Sequence, residues 1–373
     1  MEVLLQNLQN IQLNEVIMWA IGGVLIYLAI AKEMEPTLLL PMGFGAILVN
    51  LPVAVEGTGV QHVLDTLFTI GIEGAELFPL MLFIGIGDMI DFQPLLTNPK
   101  LMIFGAAAQF GIFFTLALAS LLGFELKDAA SIAIIGAADG PTSIFVATAL
   151  GSKYLGAIMV AAYSYMALVP LVQPPIIKLC TTKAERQIKM PYKGKPVAKL
   201  TKILFPIVVT MIVAMVAPDA VALIGFLMFG NLIRECGVMN SISETAQTAL
   251  ANLITIFLGI TIASQMKAAD FLQVDTLIII GLGLVAFVFD TIGGVMVAKV
   301  MNLFSKENIN PMIGAAGISA FPMSARVVHK MGLEEDNSNF LLMHSIGVNV
   351  SGQIASVIAG GLILALVKAI VGG

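Results

Sequence analysis

Charged residues make up only 12 % of this 373-residue chain, against about a quarter in a soluble domain. That scarcity excludes an ordinary water-soluble globular fold. Histidine (3), cysteine (2) and tryptophan (1) are nearly missing as well. Cys180 and Cys236 are lone thiols without metal-ligand spacing, which excludes a disulfide framework and a cysteine-built zinc site. Both read as inert packing or loop residues. No P-loop and no HExxH stands anywhere in the sequence, so nucleotide-driven pumping and zinc hydrolysis lack their usual signatures. Residues 1–15 carry no lysine or arginine, so the basic start of a cleavable signal peptide is wanting.

Apolar residues fill the chain instead, at 58 %, with a mean hydropathy of +0.97. Many runs approach the roughly 18 to 20 apolar residues that span a bilayer. The 35 glycines suit close helix packing in lipid. A closed barrel would alternate apolar and polar residues, and this sequence does not. The expectation is an all-α polytopic membrane protein.

Two short segments organise the rest. One is Ile135-Gly136-Ala137-Ala138-Asp139-Gly140-Pro141-Thr142-Ser143, and the other Ile313-Gly314-Ala315-Ala316-Gly317-Ile318-Ser319-Ala320-Phe321-Pro322. Both mix glycine, proline and small hydroxyl residues inside apolar surroundings, which makes a poor continuous helix. Gly/Pro breaks at matching places in two halves point to a transporter's binding site. Candidate spans are 16–31, 37–53, 76–92, 101–122, the broken segment 129–150, and 155–177. A polar loop follows, and then 203–217, 219–234, 249–266, 275–299, the broken segment 309–328, and 340–368. Leu82-Phe83-Ile84-Gly85-Ile86 matches Ile256-Phe257-Leu258-Gly259-Ile260, and Met42-Gly43-Phe44 matches Ile224-Gly225-Phe226. The shared order suggests a duplication: a first repeat over 16–177, a basic loop over 178–202 and a second repeat over 203–368.

Orientation follows from lysine and arginine. Lys178, Lys183, Arg186, Lys189, Lys193, Lys195, Lys199 and Lys202 face only Glu185 in the loop 178–202, so it should be cytoplasmic. Residues 54–74 hold Glu56, Asp65 and Glu73 without a cation and belong outside. They land there only if 129–150 enters the membrane and returns on the same side. If 309–328 does likewise from the cytoplasm, each half has five crossings. The two repeats are then inverted, and their re-entrant segments meet near the midplane.

A carboxylate at membrane depth is costly and is by default a functional hypothesis. Asp139 could hold a cation beside unwound carbonyls, Thr142 and Ser143, or could simply cap a helix. In the second copy Asn310, Ser319 and Ser324 supply neutral oxygens. Arg326 either holds an anion bidentately or snorkels at the interface. Asn349, Gln353 and Ser356 share one face of the last span, which should turn away from lipid. Tyr163, Ser164 and Tyr165 act similarly in the span 155–177. Asp290 is a second buried carboxylate.

The strings Gly136–Ser143, Ala162-Tyr163-Ser164-Tyr165-Met166-Ala167-Leu168-Val169-Pro170-Leu171 and Asn310-Pro311-Met312-Ile313-Gly314 through Ala320 resemble the β subunit of the biotin-dependent, sodium-pumping decarboxylases. Members act on oxaloacetate, methylmalonyl-CoA or glutaconyl-CoA. The resemblance implies that a soluble partner moves a carboxyl group onto biotin. The membrane β subunit then decarboxylates carboxybiotin, exports Na⁺ and consumes a proton. It further implies that Na⁺ sits on Asp139 with Asn310, the Gly314 carbonyl, Asn349 and Ser356. Arg326 would meet the carboxylate of carboxybiotin, while Tyr165 and Ser319 would pass the proton or complete a second Na⁺ shell. Implied partners are a biotin-bearing carboxyltransferase subunit or biotin carrier, a small single-span membrane subunit and the lipid bilayer, with no nucleic acid. An oligomeric, multi-pass protein of the bacterial inner (plasma) membrane is the expected setting. The rival readings are a secondary Na⁺-coupled solute symporter, which inverted repeats alone would favour, and a non-catalytic scaffold or channel.

Overall fold

Every regular element that the computed structural model describes is helical, as the hydropathy predicts. The described residues are 11–52, 59–191, 194, 196–305 and 308–371. In the first half α1 (Leu13–Ala31), α2 (Pro36–Val49), α3 (Val60–Phe68) and α4 (Leu77–Met89) precede α5 (Met102–Ala107) and α6 (Phe110–Leu121). The pair α7 (Leu126–Ala133) and α8 (Gly140–Ala149) then leads into α9 (Leu155–Cys180). In the second half come α10 (Lys199–Val216), α11 (Val221–Cys236), α12 (Ala251–Ala263), α13 (Val274–Phe304), α14 (Met323–Glu335) and α15 (Leu342–Val371).

Among the described residues, seven helices are long and apolar enough to cross a membrane. The stretches expected at 37–53, 76–92 and 219–234 fall on α2, α4 and α11, which are shorter. At 1.5 Å per residue the 14 residues of α2 extend about 21 Å, less than the roughly 30 Å hydrocarbon core. These short helices pair inside the protein: α2 packs on α12, and α4 on α11. The α4–α11 contact is backbone-close. A Cβ on Gly87 would lie 1.8 Å from the Leu227 carbonyl oxygen, and one on Gly230 would lie 2.0 Å from that of Ile84.

Within the stretch 54–74, expected outside the membrane, α3 and a π-turn (Thr69–Glu73) make 60–73 helical. Glu76, in the left-handed region at φ 52°, bends this helix by 62° against α4. Its Glu56 lies outside the described residues, as do Lys193 and Lys195 of the basic loop. A second π-turn, Ala246–Leu250, precedes α12 just as the first precedes α4.

The long α13 is the spine of the molecule. It packs against α6, α9 and the turn Met312–Ala315, and through them it touches both broken segments. The loop after α9 carries a Thr182 capping box. There Arg186 bonds Glu335 at 2.5 Å and Lys299 bonds Glu185 at 3.1 Å. Nearby, the N–H and hydroxyl of Ser338 hold the Asp336 carboxyl down at about 2, so it stays ionised opposite Lys189.

Candidate functional site

The first break follows from its residues. After α7 the chain tightens into a 3₁₀ turn, Ile134–Ala137. Ala138 then takes the left-handed conformation at φ 51°, and Asp139 is extended. Pro141 could not sit inside a helix but fits the first turn of α8, which Asp139 caps. Its carboxylate accepts from the Thr142 N–H at 3.4 Å, the Thr142 hydroxyl at 2.7 Å and the Ser356 hydroxyl at 3.2 Å. The cap is therefore real, and its carboxylate is also buried among hydroxyls, without a cationic partner among the described residues. The two bases of this helical pair lie together, because Ser152 donates to Asp128 at 2.8 Å.

The second break is built differently. Asn310 caps the turn Met312–Ala315 by accepting from the Met312 N–H at 3.1 Å. Residues 316–322 leave the helix before α14 begins. Its two bases also meet, at one stretch of loop. Asn310 donates to the carbonyls of Arg186 and Ile188 at 2.9 Å each, and Asn339 donates to that of Arg186 at 3.0 Å.

The two tips touch. The Ser319 N–H donates to the Ala137 carbonyl at 3.0 Å, joining one break directly to the other. Helix α15 then locks the junction: the Ser319 hydroxyl donates to the Gly352 carbonyl at 3.0 Å, and the Gln353 amide donates to the Ser319 carbonyl. Asn349 donates to the Ile318 carbonyl at 2.7 Å. The Oδ1 of Asn349 and the Oε1 of Gln353 are buried without any donor. A hard monovalent cation would satisfy such orphaned oxygens, because it takes neutral oxygen ligands beside one carboxylate. Among the described residues no three His, Cys, Asp or Glu side chains converge, so the donor set does not suit a transition metal.

Not all expected ligands gather there. The amide of Asn310 is spent on the loop at 186–188, at the base of its segment rather than the tip. Gly314 lies back to back with Gly294, where a Cβ on either would come within 2.1 Å of the other's carbonyl oxygen. The Gly314 carbonyl also accepts from the Gly317 N–H at 3.0 Å. Asn349 and Ser356 are two turns apart on α15, about 10 Å along its axis. These oxygens therefore form a ladder along α15 rather than one shell. Tyr165 donates to the Ile280 carbonyl within an apolar cluster containing Ile135 and Ile158. Tyr163 is the tyrosine at the first break, with its ring where a Cβ on Gly140 would stand and its hydroxyl buried without a partner. Arg326 is exposed on the first turn of α14. Burial pushes the Glu35 carboxyl up from its ordinary value, and the Arg326 guanidinium acts in the opposite direction. Gln173, which the sequence reading passed over, donates to the Ala315 carbonyl at 2.7 Å and accepts from Ser324 at 3.0 Å. A lone glutamine between Pro170 and Pro174 in an apolar helix was the available signal.

Residues 14–367 match the family described as the Na⁺-transporting oxaloacetate decarboxylase beta subunit. The chain belongs to this family. It is 48 % identical to the methylmalonyl-CoA decarboxylase subunit beta of Propionigenium modestum over 382 residues, covering 96 % of each chain. The glutaconyl-CoA decarboxylase subunit beta of Acidaminococcus fermentans is 48 % identical, covering 94 % of this chain and 92 % of the relative. The oxaloacetate decarboxylase beta chain of Klebsiella pneumoniae is 44 % identical, covering 97 % of both. Relatives named for three acyl substrates are thus nearly equidistant. Their names favour the decarboxylase reading and give the symporter reading no support.

Proposed function

We propose that this chain is the membrane subunit of a sodium-translocating decarboxylase, which decarboxylates carboxybiotin brought by a partner and uses the reaction to export Na⁺. The observation that carries this reading is the junction of two broken segments around one buried carboxylate, in a chain of the decarboxylase beta family. Near-equal similarity to relatives named for different substrates supports placing substrate choice in the partner, a biotin-bearing carboxyltransferase subunit or biotin carrier. A small single-span subunit, an oligomeric state and the bacterial inner membrane belong to the same proposal.

Its architecture is two inverted repeats, 16–177 and 203–368, joined by the cytoplasmic loop 178–202. Support comes from matched packing: α2 on α12 mirrors α11 on α4, and a π-turn precedes both α4 and α12. The paired bases at Asp128–Ser152 and at Arg186 support two segments that each dip and return from opposite sides.

Na⁺ is the cargo. Asp139 supplies the charge and, with Thr142 and Ser356, forms the middle station. Asn349 and Gln353, with their unpartnered oxygens, form the next rungs toward the cytoplasm. Asn310 and the Gly314 carbonyl, spent elsewhere in this arrangement, would join a Na⁺ shell only if the second segment shifts. Arg326 takes the carboxylate of carboxybiotin, and its exposure and the lack of a close ion pair among the described residues suit that task. Ser319, which joins the tips, relays a proton or finishes a second shell in this reading, supported by its bond to Ala137. Tyr165 shares that role only if its hydroxyl leaves the Ile280 carbonyl, and Tyr163 stands nearer. Loss of CO₂ removes the anion's charge and its hold on Arg326. That differential affinity is what can tip one segment against the other.

Arg326→Lys tests the anion role, because lysine keeps the charge and loses the planar fork. The decarboxylation efficiency of the reconstituted complex toward carboxybiotin should fall about 10- to 100-fold, the loss of one to two charge-assisted bonds. The Na⁺ concentration for half-maximal rate should stay within about twofold. A larger shift in Na⁺ dependence than in carboxybiotin handling would remove Arg326 from this role.

A further inference from the structure

Asp290 is a buried carboxylate that the Na⁺ stations leave unused. It stands at the middle of the 31-residue α13 and is fully buried. One oxygen accepts from the N–H of Gly111, the second residue of α6, where backbone donors lack helical partners. The other oxygen has no hydrogen-bond partner among the described residues. It lies 2.6 Å from where a Cβ on Gly136 would stand, so it is pressed against the first tip. One helical turn further along α13, Gly294 touches Gly314 beside the second tip.

Among the described residues, no charged side chain of either sign acts on Asp290. Neither α6 nor the turns Ile134–Ala137 and Met312–Ala315 carry a titratable residue. Of the neighbours, α7 offers at its base Lys127, paired with Glu125, and Asp128, tied to Ser152, and α9 offers Tyr163 at Gly140 and Tyr165 on Ile280. Asp139 lies three residues beyond Gly136. An ionised carboxylate here would be buried without counter-charge, a cost above what the backbone N–H groups of Gly111 and Ile112 return. Two more buried polar oxygens, Gln109 Oε1 and Thr115 Oγ1, flank Gly111 in the chain and are likewise unpartnered. Thr115 shares the face of Gly111.

We propose that Asp290 is a proton-binding site of the pump, a carboxylic acid wedged between α6 and the first tip. It rests on the function proposed above and adds a second ion to it. Decarboxylation breaks the N–C bond of carboxybiotin, leaves the electron pair on the ureido nitrogen and releases CO₂. That nitrogen takes one proton per turnover. Asp290 holds one such proton while the tip presses on its free oxygen, releases it when the tip moves away, and is recharged before the next turnover.

Asp290→Asn decides the matter, because asparagine still accepts from Gly111 and copies the shape of the acid while binding no exchangeable carboxyl proton. The reconstituted complex is followed by infrared difference spectroscopy and by turnover against pH. The wild type and Asp139→Asn should show a protonated-carboxyl stretch that shifts in D₂O and is missing from Asp290→Asn. Turnover of Asp290→Asn should drop about 100-fold, the scale of a lost proton-transfer group, with Na⁺ half-saturation within about twofold. Wild-type turnover and pH profile in Asp290→Asn, or a persisting infrared band, would reduce Asp290 to a hydrogen-bond acceptor for α6. A shift in Na⁺ half-saturation with no infrared change would make it a Na⁺ ligand and equally overturn the proposal. The infrared band is read without carboxybiotin, so it stands or falls apart from the decarboxylase reading.

Discussion

Asp139→Asn should lower Na⁺-dependent decarboxylation by about 100-fold or more, with little change in folding, because the buried charge is removed while the cap survives. Asparagine caps a helix about as well as aspartate and can still accept from the Thr142 N–H, so α8 should start where it does now. What disappears is the one formal negative charge beside the Thr142 and Ser356 hydroxyls. A cation brought to that depth needs this charge to offset its lost hydration. Decarboxylation rate against Na⁺ concentration, with a thermal melt beside it, gives both readings. A variant that melts with the wild type and keeps wild-type Na⁺ dependence would show that Asp139 is a cap and nothing else.

Gly314→Val should destabilise the protein by about 3 kcal/mol or more, at the upper end of overpacking costs. The contact is backbone against backbone: a Cβ at Gly314 would lie 2.0 Å from the Gly294 carbonyl oxygen, and one at Gly294 would lie 2.1 Å from that of Gly314. No flexible side chain is there to yield, so the turn Met312–Ala315 must move off α13. The Ser319–Ala137 bond between the tips would go with it. Thermal unfolding in detergent should show the loss for Gly314→Val and for Gly294→Val alike. A Gly314→Val protein with the wild-type midpoint would mean that the second tip is not seated on α13.

The breaks themselves were legible because glycine, proline and a capping carboxylate have local consequences. Asp139 needs only Pro141 and Thr142 to become a cap, and those lie within three residues. Helix α15 was legible for the same reason: Asn349, Gln353 and Ser356 share a face at fixed spacing. Asn310 was not, because its amide is claimed by the carbonyls of Arg186 and Ile188, more than 120 residues away. No local pattern records that loop's path. Tyr165 and Tyr163 sit two residues apart on α9, about 200° around the helix, and only the packing of α9 on α13 and α8 decides which one faces the first break. The helix at 60–73 fell outside the candidate spans because Gln61, His62, Asp65 and Glu73 interrupt its apolar residues. Gln173 was missed because its partners, the Ala315 carbonyl and Ser324, lie on the other broken segment.

Uptake of radiolabelled Na⁺ into inside-out proteoliposomes tests the central claim most directly. They should contain this chain, its biotin-bearing partner and the accessory membrane subunit. Uptake should begin only when carboxybiotin is supplied, should follow CO₂ release, and should vanish in Asp139→Asn. Uptake driven by an ion or solute gradient in the absence of biotin, or surviving unchanged in Asp139→Asn, would contradict a decarboxylation-driven pump.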